Sequence, residues 1–597
     1  MADAEKFRRM ITPSVKFEIP EYQRNYSWTE EELDDLWRDL NNVLGQGDDG
    51  LEDKSHFYGM FLFDVDDEKG VYRIIDGQQR ITTAIILLNE IRYRLRKLGN
   101  DREAGRIKDD YIKDSHGYKL TLGPDEDDQI FKDEVVDRAD IEQDIASLSD
   151  SPSQRRLLKA KEFFAEKLEA KDEDFLIELR QEIDRLEAMS YEVNSITRAV
   201  KIFETANDRG RNLTDLDKTK SFLMLQIYLN ESKENEEAIE DQIDLLQSRF
   251  GKMYRKIDEI NDGEHWGSFS EDNIQRFHYI LWDEAWTSSR GERYYQNLLS
   301  NLKEKIRDNS QPMEQIHDYS KELLEAFRAH EHLTRISDVA DEEHQIIERM
   351  ELAGSMGNVR PLLLALRMKK GETITHDEYI SLLRLVETLV ARVYVIAQKR
   401  AYTGRYKIYR LARDIYQEEA TVPEIKSRIR SITEDYADDE TVRTSLSQDN
   451  FYTDYDQSEQ RFLLYFYEAS LQAESDREKM PYSLRNWVNG RLVGAGEEVD
   501  IEVEHIHPQT PAEESEVDEH KHRLGNLSIL PKGENSSLQN AVGADKEEVY
   551  KEINLEMNKV IVPDLEDWSE KQISSRENRI TRRILQRWPV HEPDLET

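Results

Sequence analysis

Between about residues 153 and 470, apolar side chains recur every three to four positions over 153–186, 215–229 and 379–400, separated by charged loops. That period belongs to amphipathic helices, so the middle of the chain is constrained to a helical body. At 597 residues the chain exceeds what one hydrophobic core supports, and two or three domains are expected. No run approaches the roughly 20 apolar residues that span a bilayer, and the charged first ten residues have no apolar segment behind them. A soluble, cytoplasmic protein without a membrane partner is expected.

The absence of cysteine excludes disulfides, thiolate-bound zinc and thiol nucleophiles. Any metal must sit on His, Asn or carboxylates, a donor set that suits Mg²⁺ or Mn²⁺. Acidic residues outnumber basic ones by 125 to 83, a net charge of −42, which works against phosphate binding. Either a salt-rich cytoplasm screens the repulsion, or an acidic surface carries locally basic grooves. No internal repeat or low-complexity tract is present; acidic, turn-rich stretches at 45–53, 123–128 and 494–500 mark loops or boundaries.

Two β-prone runs, 57–65 and 71–75, flank a Gly-ended turn and read as a hairpin. From Ile81 the pattern becomes helical through Ala84, Ile85, Leu88, Ile91 and Leu95. Asp76-Gly77-Gln78-Gln79-Arg80 therefore sits on a strand-to-helix turn, where free N–H groups and the helix dipole suit a phosphate. Gly77 permits close approach, Arg80 can fork onto phosphate oxygens, Gln78 or Gln79 can orient a water, and Asp76 can hold a metal or a ribose hydroxyl. A plain turn with a surface arginine accounts for the same spacing, and the chain has no P-loop motif. Upstream, Tyr22, Gln23, Arg24, Tyr26 and Trp28 cluster aromatics around Arg and Gln, a set that can stack bases or line an apolar pocket and that equally forms a core edge, before a helix capped by Thr29 with Glu32 three residues on. A third segment, 203–213 with Asn207, reads as a helix end and a Gly-containing turn, with a new cap at Thr214 or Asp215.

Together these segments, with a His-Phe-x-Gly strand at 56–59, resemble over residues 10–230 the DGQQR-type domain, related to the ParB and sulfiredoxin-like fold, of type IV restriction enzymes of the GmrSD kind and their phosphorothioate-sensing relatives. The resemblance implies NTP binding, with GTP favoured, and hydrolysis on Asp76, Gly77, Gln78, Gln79, Arg80 and Asn207. It implies sensing of DNA modification by Tyr22, Gln23, Arg24, Tyr26 and Trp28.

Near the C-terminus, 499–506 alternates acidic and apolar residues as a strand does. It ends in Glu504-His505-Ile506-His507-Pro508-Gln509, followed by Leu524-Gly525-Asn526-Leu527 and then Asn535. An acid can hold a divalent ion while the adjacent His deprotonates water for attack on a phosphodiester. Singly, each residue is compatible with a surface strand or a helix cap. In this order they resemble the HNH (His-Me finger) nuclease domain, which implies Glu504 and Asn535 as metal ligands, His505 as general base and Asn526 as the structural residue. His507 is a bystander on this reading; His522, Lys532 and Lys546 are candidate phosphate contacts, with a solvated loop residue the plainer account of His522.

The expected fold is multidomain α+β: a ParB/sulfiredoxin-like α/β domain at 1–230, a helical connection at 231–479 and a ββα-metal HNH domain at 480–597. The expected function is modification-dependent endonucleolytic cleavage of double-stranded DNA, gated by NTP hydrolysis. A non-cleaving, NTP-switched reader of modified DNA is the main alternative, an NTP-hydrolysing regulator of protein partners the next, and homodimerisation is compatible with the helical middle.

Overall fold

The computed structural model describes residues 5–11, 15–21, 23–44, 57–66, 70–141, 145–193, 214–230, 236–283, 294–308, 311–336, 341–354, 356–475, 482–494, 497–510, 516–538, 541 and 546–591. The chain forms two compact units, residues 1–276 with 288–335, and 277–287 with 336–597. The helical stretch 231–479 is divided between them.

The first unit is built on a mixed six-stranded sheet. The expected hairpin forms as β3 (Phe57–Asp66) against antiparallel β4 (Val71–Asp76). Around it lie β1 (Glu5–Lys6), β2 (Lys16–Glu18), β7 (Leu120–Thr121) and β8 (Glu187–Val193), in the order β1-β8-β3-β4-β2-β7. β2 runs parallel to β4 and β7, β8 runs parallel to β3, and β1 is antiparallel to β8. A two-residue hairpin, β5 (Lys113–Asp114) and β6 (Gly117–Tyr118), stands apart from the sheet.

Leaving β4, the chain turns at Gly77 (φ 95°) into the helix Gln78–Lys97. A side chain at Gly77 would sit in a left-handed backbone and 2.3 Å from the Phe61 ring, so glycine is required there. The helix is buried almost all round, beyond the single stripe read from the sequence. Its polar residues are accommodated by partners: Asn89 donates to the carbonyls of Val135 and Val136, and Glu90 faces the buried ammonium of Lys161 at 3.2 Å. Burial raises the Glu90 pKa to about 7, against the pull of Lys161.

The helical run expected over 153–186 is two helices, Pro152–Glu169 and Glu173–Arg185, because Asp172 caps the second by accepting the Phe175 N–H. The chain then enters β8, a strand whose short segment carries little alternation of its own and is stabilised by pairing with β3.

In the second unit, helices surround a three-stranded antiparallel sheet, β11-β10-β9, of β9 (Arg491–Gly494), β10 (Glu497–His505) and β11 (Leu527–Pro531), followed by the helix Lys532–Leu538. Strand parity divides the core: Ile501 and Val503 of β10 join Leu527 and Ile529 in the cluster of Trp487 and Trp588, while Ile506 and Leu530 join Leu538 and Tyr550. The last described helix, Glu570–Arg587, clamps the start of β11 through fully buried Arg576, which donates to the carbonyls of Gly525 (3.0 Å) and Leu527 (2.6 Å).

A Cβ on Gly525 would lie 2.1 Å from the Ile573 carbonyl oxygen, so that helix packs this closely only against glycine. Gly525→Ala is expected to destabilise the C-terminal unit by about 2 kcal/mol, read as a thermal midpoint several degrees lower. An unchanged midpoint would show that the helix can step aside.

Candidate functional site

Two clusters contain the residues singled out in the sequence. In the first unit, Arg80 projects from the first turn of its helix across β3. Its Nη1 reaches the Tyr58 carbonyl at 3.3 Å, its Nη2 reaches Asp76 at 3.4 Å, and its guanidinium lies over the Phe61 ring at 4.9 Å. Gly59 makes room for it, since a Cβ there would sit 1.7 Å from Arg80 Nη1. The Tyr58 hydroxyl donates to the Arg80 carbonyl. Burial pushes the Asp76 carboxyl up, against the opposing effects of Arg80 and the Gly77 N–H. Tyr58, Gly59 and Phe61 were not singled out as site residues; the glycine of the His-Phe-x-Gly strand was the available signal.

The glutamines are engaged with backbone. Gln79 donates to the Asn25 carbonyl and accepts the Ser27 N–H, both at 2.9 Å, and Gln78 donates to the Arg24 carbonyl at 2.9 Å. Gln23 returns the contact by donating to the Ile75 carbonyl, and the hydroxyls of Tyr26 and Thr83 are bonded at 2.8 Å. The Asp-Gly-Gln-Gln-Arg turn and the segment 23–28 are thus a single hydrogen-bonded assembly. In this state the carboxamides hold that segment in place. Arg24 turns its guanidinium to Glu271 at 3.1 Å, buried Tyr26 lies in the core, and Trp28 packs half-buried against it. Thr29 caps the helix Glu30–Val43 in a capping box with Glu32. Tyr22, His56 and Asn207 lie outside the described residues.

In the second unit, Glu504 and His505 are the last residues of β10, and successive residues of a strand face opposite ways. Glu504 is buried and paired with Lys546, whose ammonium also donates to the His505 carbonyl at 2.6 Å. Burial raises the Glu504 carboxyl and lowers the Lys546 amine, each opposed by its partner. Lys546 is fully buried, so it does not stand at the surface as the phosphate contact expected from the sequence. Two residues back, Glu502 accepts from the Asn535 amide at 3.0 Å and faces Lys532 at 3.6 Å.

His505 packs edge-on against Tyr452 at 4.3 Å and lies 5.5 Å from His522, with Gln509 Nε2 at 3.2 Å from its Nδ1. Burial, then His522, Lys546, Lys521 and His507, depress its pKa to about 3. Asn526, fully buried, donates to the carbonyls of His507 and Lys521 and accepts from the His507 N–H and the Trp568 indole. All of its polar capacity is spent on bracing the loop after β10. His507 pairs with Asp518 at 2.6 Å.

The carboxylate of Glu504 and the amide oxygen of Asn535 are hard oxygen donors of the kind Mg²⁺ and Mn²⁺ take, and Glu504 already neutralises a cation in Lys546. The donor types suit a divalent ion, although Lys546 lies on Glu504, the Asn535 amide lies on Glu502, and among the described residues no group of three or more His, Asp or Glu is gathered to hold a metal.

The family model described as GmrSD restriction endonuclease, N-terminal domain, matches residues 5–224, and that described as GmrSD restriction endonucleases, C-terminal domain, matches residues 436–583. No curated protein matches the chain.

Replacing Gln79 by Leu strands the Asn25 carbonyl and the Ser27 N–H, at a cost of about 1–3 kcal/mol. Faster amide hydrogen exchange confined to residues around 24–28 is the expected readout; unchanged exchange there would show that the segment is held by other contacts.

Proposed function

Because the chain belongs to the GmrSD restriction endonucleases, of the type IV kind, and DNA is accordingly its substrate class, we propose that it cleaves modified double-stranded DNA at the C-terminal site under the control of NTP hydrolysis at the N-terminal one. The observation that carries this reading is the convergence of Glu504, His505, Asn526 and Asn535 on one strand-strand-helix segment whose loop is fixed by Asn526.

On this reading residues 480–597 form the HNH nuclease domain, 231–479 the helical connection and 1–230 the ParB/sulfiredoxin-like domain. His505 is neutral before DNA arrives, because burial and neighbouring cations oppose its protonation. The negative phosphodiester raises its basicity on binding, and the ring then takes the proton of the attacking water. Glu504 and Asn535 would hold Mg²⁺ or Mn²⁺, which when bound offsets charge on the leaving oxygen. In the N-terminal domain, Asp76, Gly77, Gln79 and Arg80 bind the NTP, GTP favoured, and the segment 22–28 reads the modification. The bonds of Gln78 and Gln79 to residues 24–27 support coupling of the modification-reading segment to the nucleotide turn, since movement of one side displaces the other.

The burial of His505 beneath Tyr452 favours a second reading, a non-cleaving reader of modified DNA. Plasmid cleavage with Mg²⁺ or Mn²⁺, with and without each NTP, on unmodified, glucosylated and phosphorothioated DNA, separates the two. His505→Ala is expected to lower cleavage roughly 10²- to 10⁴-fold while NTP hydrolysis persists. Cleavage untouched by His505→Ala would remove the assigned base, and no cleavage of any substrate alongside active NTP hydrolysis would establish the reader.

In the same assay, Arg80→Ala is expected to lower NTP hydrolysis at least roughly 10²-fold and to abolish NTP-dependent cleavage. Full hydrolysis by that variant would place the nucleotide elsewhere.

A further inference from the structure

The acidic excess of the chain is interrupted most fully at residues 388–413, its longest stretch without Asp or Glu, within which stand seven Lys or Arg. Five of these are exposed on the second unit. Lys399 and Arg400 lie on the turn that follows the π-helical segment Val390–Ile396, and Arg405, Lys407 and Arg410 lie on the helix Arg405–Tyr416. Tyr402 and Tyr406 stand among them, 53% and 56% exposed.

The turn is fixed from beneath. The Thr403 carbonyl accepts from the Tyr394 hydroxyl at 2.8 Å and from the amide of buried Asn358 at 3.1 Å, and the Asn358 carbonyl oxygen accepts from Arg405 Nε at 3.0 Å. The Thr403 N–H donates to the Arg400 carbonyl, and the Lys399 N–H to that of Val393. Gly404, at φ 74°, opens the helix Arg405–Tyr416, whose positive end adds to the cations. Arg400 donates to the Tyr402 hydroxyl at 2.6 Å, and Lys407 pairs with Asp435 at 2.6 Å. Among the described residues, Lys399, Arg400, Arg405 and Arg410 make no ion pair.

Cations gathered in this way repel one another, and Lys407 and Arg410, three apart on one helix, do so directly. In a chain with 125 acidic residues, a surface that leaves four of its five cations without a carboxylate is matched to an anion from outside. The charges are spread over a turn and the first two turns of a helix, an arrangement that suits a row of phosphates, and tyrosine hydroxyls donate to phosphate oxygens as well. The root of the turn also borders the His505 cluster. The Tyr455 hydroxyl donates to the Ile396 carbonyl and its ring stacks on Phe451 at 4.1 Å; the next residue of the helix Phe451–Asp454, Tyr452, is the one packed against His505.

We propose that the turn 398–404 and the exposed face of residues 405–410 form a docking surface for the phosphate backbone of duplex DNA, holding the duplex on the unit that carries His505 whatever its sequence or modification. This docking role rests on the DNA-cleaving reading given above.

The test uses the full-length protein and a short, unmodified duplex with a fluorescent end label. Lys399→Gln, Arg400→Gln and Arg410→Gln are combined in one variant; Arg405 and Lys407 are kept, because Arg405 holds Asn358 and Lys407 holds Asp435. Fluorescence anisotropy at low salt is expected to show roughly 10- to 100-fold weaker binding by the variant, with its melting temperature unchanged. The dependence of log Kd on log salt is expected to be shallower by about 2 to 3, for three lost phosphate contacts. On the unaltered chain, the duplex is expected to protect Lys399 from acetylation, read by peptide mapping.

Wild-type affinity and salt slope in the triple variant, or equal acetylation of Lys399 with and without duplex, overturns the proposal and leaves the DNA-cleaving reading in place. Shielding of Lys399 without DNA, relieved by salt, also overturns it and assigns the surface to an acidic face of this chain or of a second copy. Failure of the wild-type protein to bind any DNA removes the DNA-cleaving reading and the docking surface together, a separable result. Because protection is read on the unaltered chain, the test stands even if the variant does not fold.

Discussion

The two-point bond between the Gln79 carboxamide and the backbone of Asn25 and Ser27 is the constraint on which the N-terminal site depends. A carboxamide pairs with a peptide as another peptide does, donor to acceptor and acceptor to donor, so one side chain fixes an irregular segment as a strand partner would. With Gln78 and Gln23 adding single bonds in each direction, the aromatic segment and the strand-to-helix turn form a single body. The glutamines were read from the sequence as groups that orient water; the geometry gives them a task in holding the segment that a resemblance to sensing residues had singled out.

At the C-terminal site the corresponding constraint is Asn526. Four hydrogen bonds inside a buried pocket leave the loop after β10 no alternative path, and Arg576 and Gly525 lock the following strand to the last helix. Strand parity then decides which neighbours each group meets. Glu502, Glu504, Asn535 and Lys546 gather on one face, while His505 lies with Tyr452 and His522 on the other. Adjacency in sequence therefore brings Glu504 and His505 to one strand end, with their side chains leaving it on opposite faces.

Some of the 125 acidic residues are met by close pairs, each of which takes a cation with it and leaves the net charge of −42 unchanged. Arg523 with Glu577, Arg349 with Glu387 and Arg24 with Glu271 place acidic groups against cations inside or at the edge of the core. Such pairs are neutral in sum, so they leave the long-range repulsion of a phosphate backbone by the acidic excess as composition gives it.

Local pattern by itself determined the elements whose signal is contained in a few consecutive residues. The β3–β4 hairpin, the turn at Gly77, the Thr29–Glu32 capping box and strand β10 were legible because period, turn glycine and cap each act over one or two turns of chain. Tertiary structure decided what depends on distant partners. β8 exists through pairing with β3, Gly59 is required by Arg80 twenty-one positions on, Lys546 is buried because Glu504 is there to receive it, and Lys220 meets Tyr254 only when two helices pack. The reason is physical: propensity and capping are properties of a segment, whereas desolvating a charge or closing a sheet is favourable only with a partner that the chain brings from elsewhere.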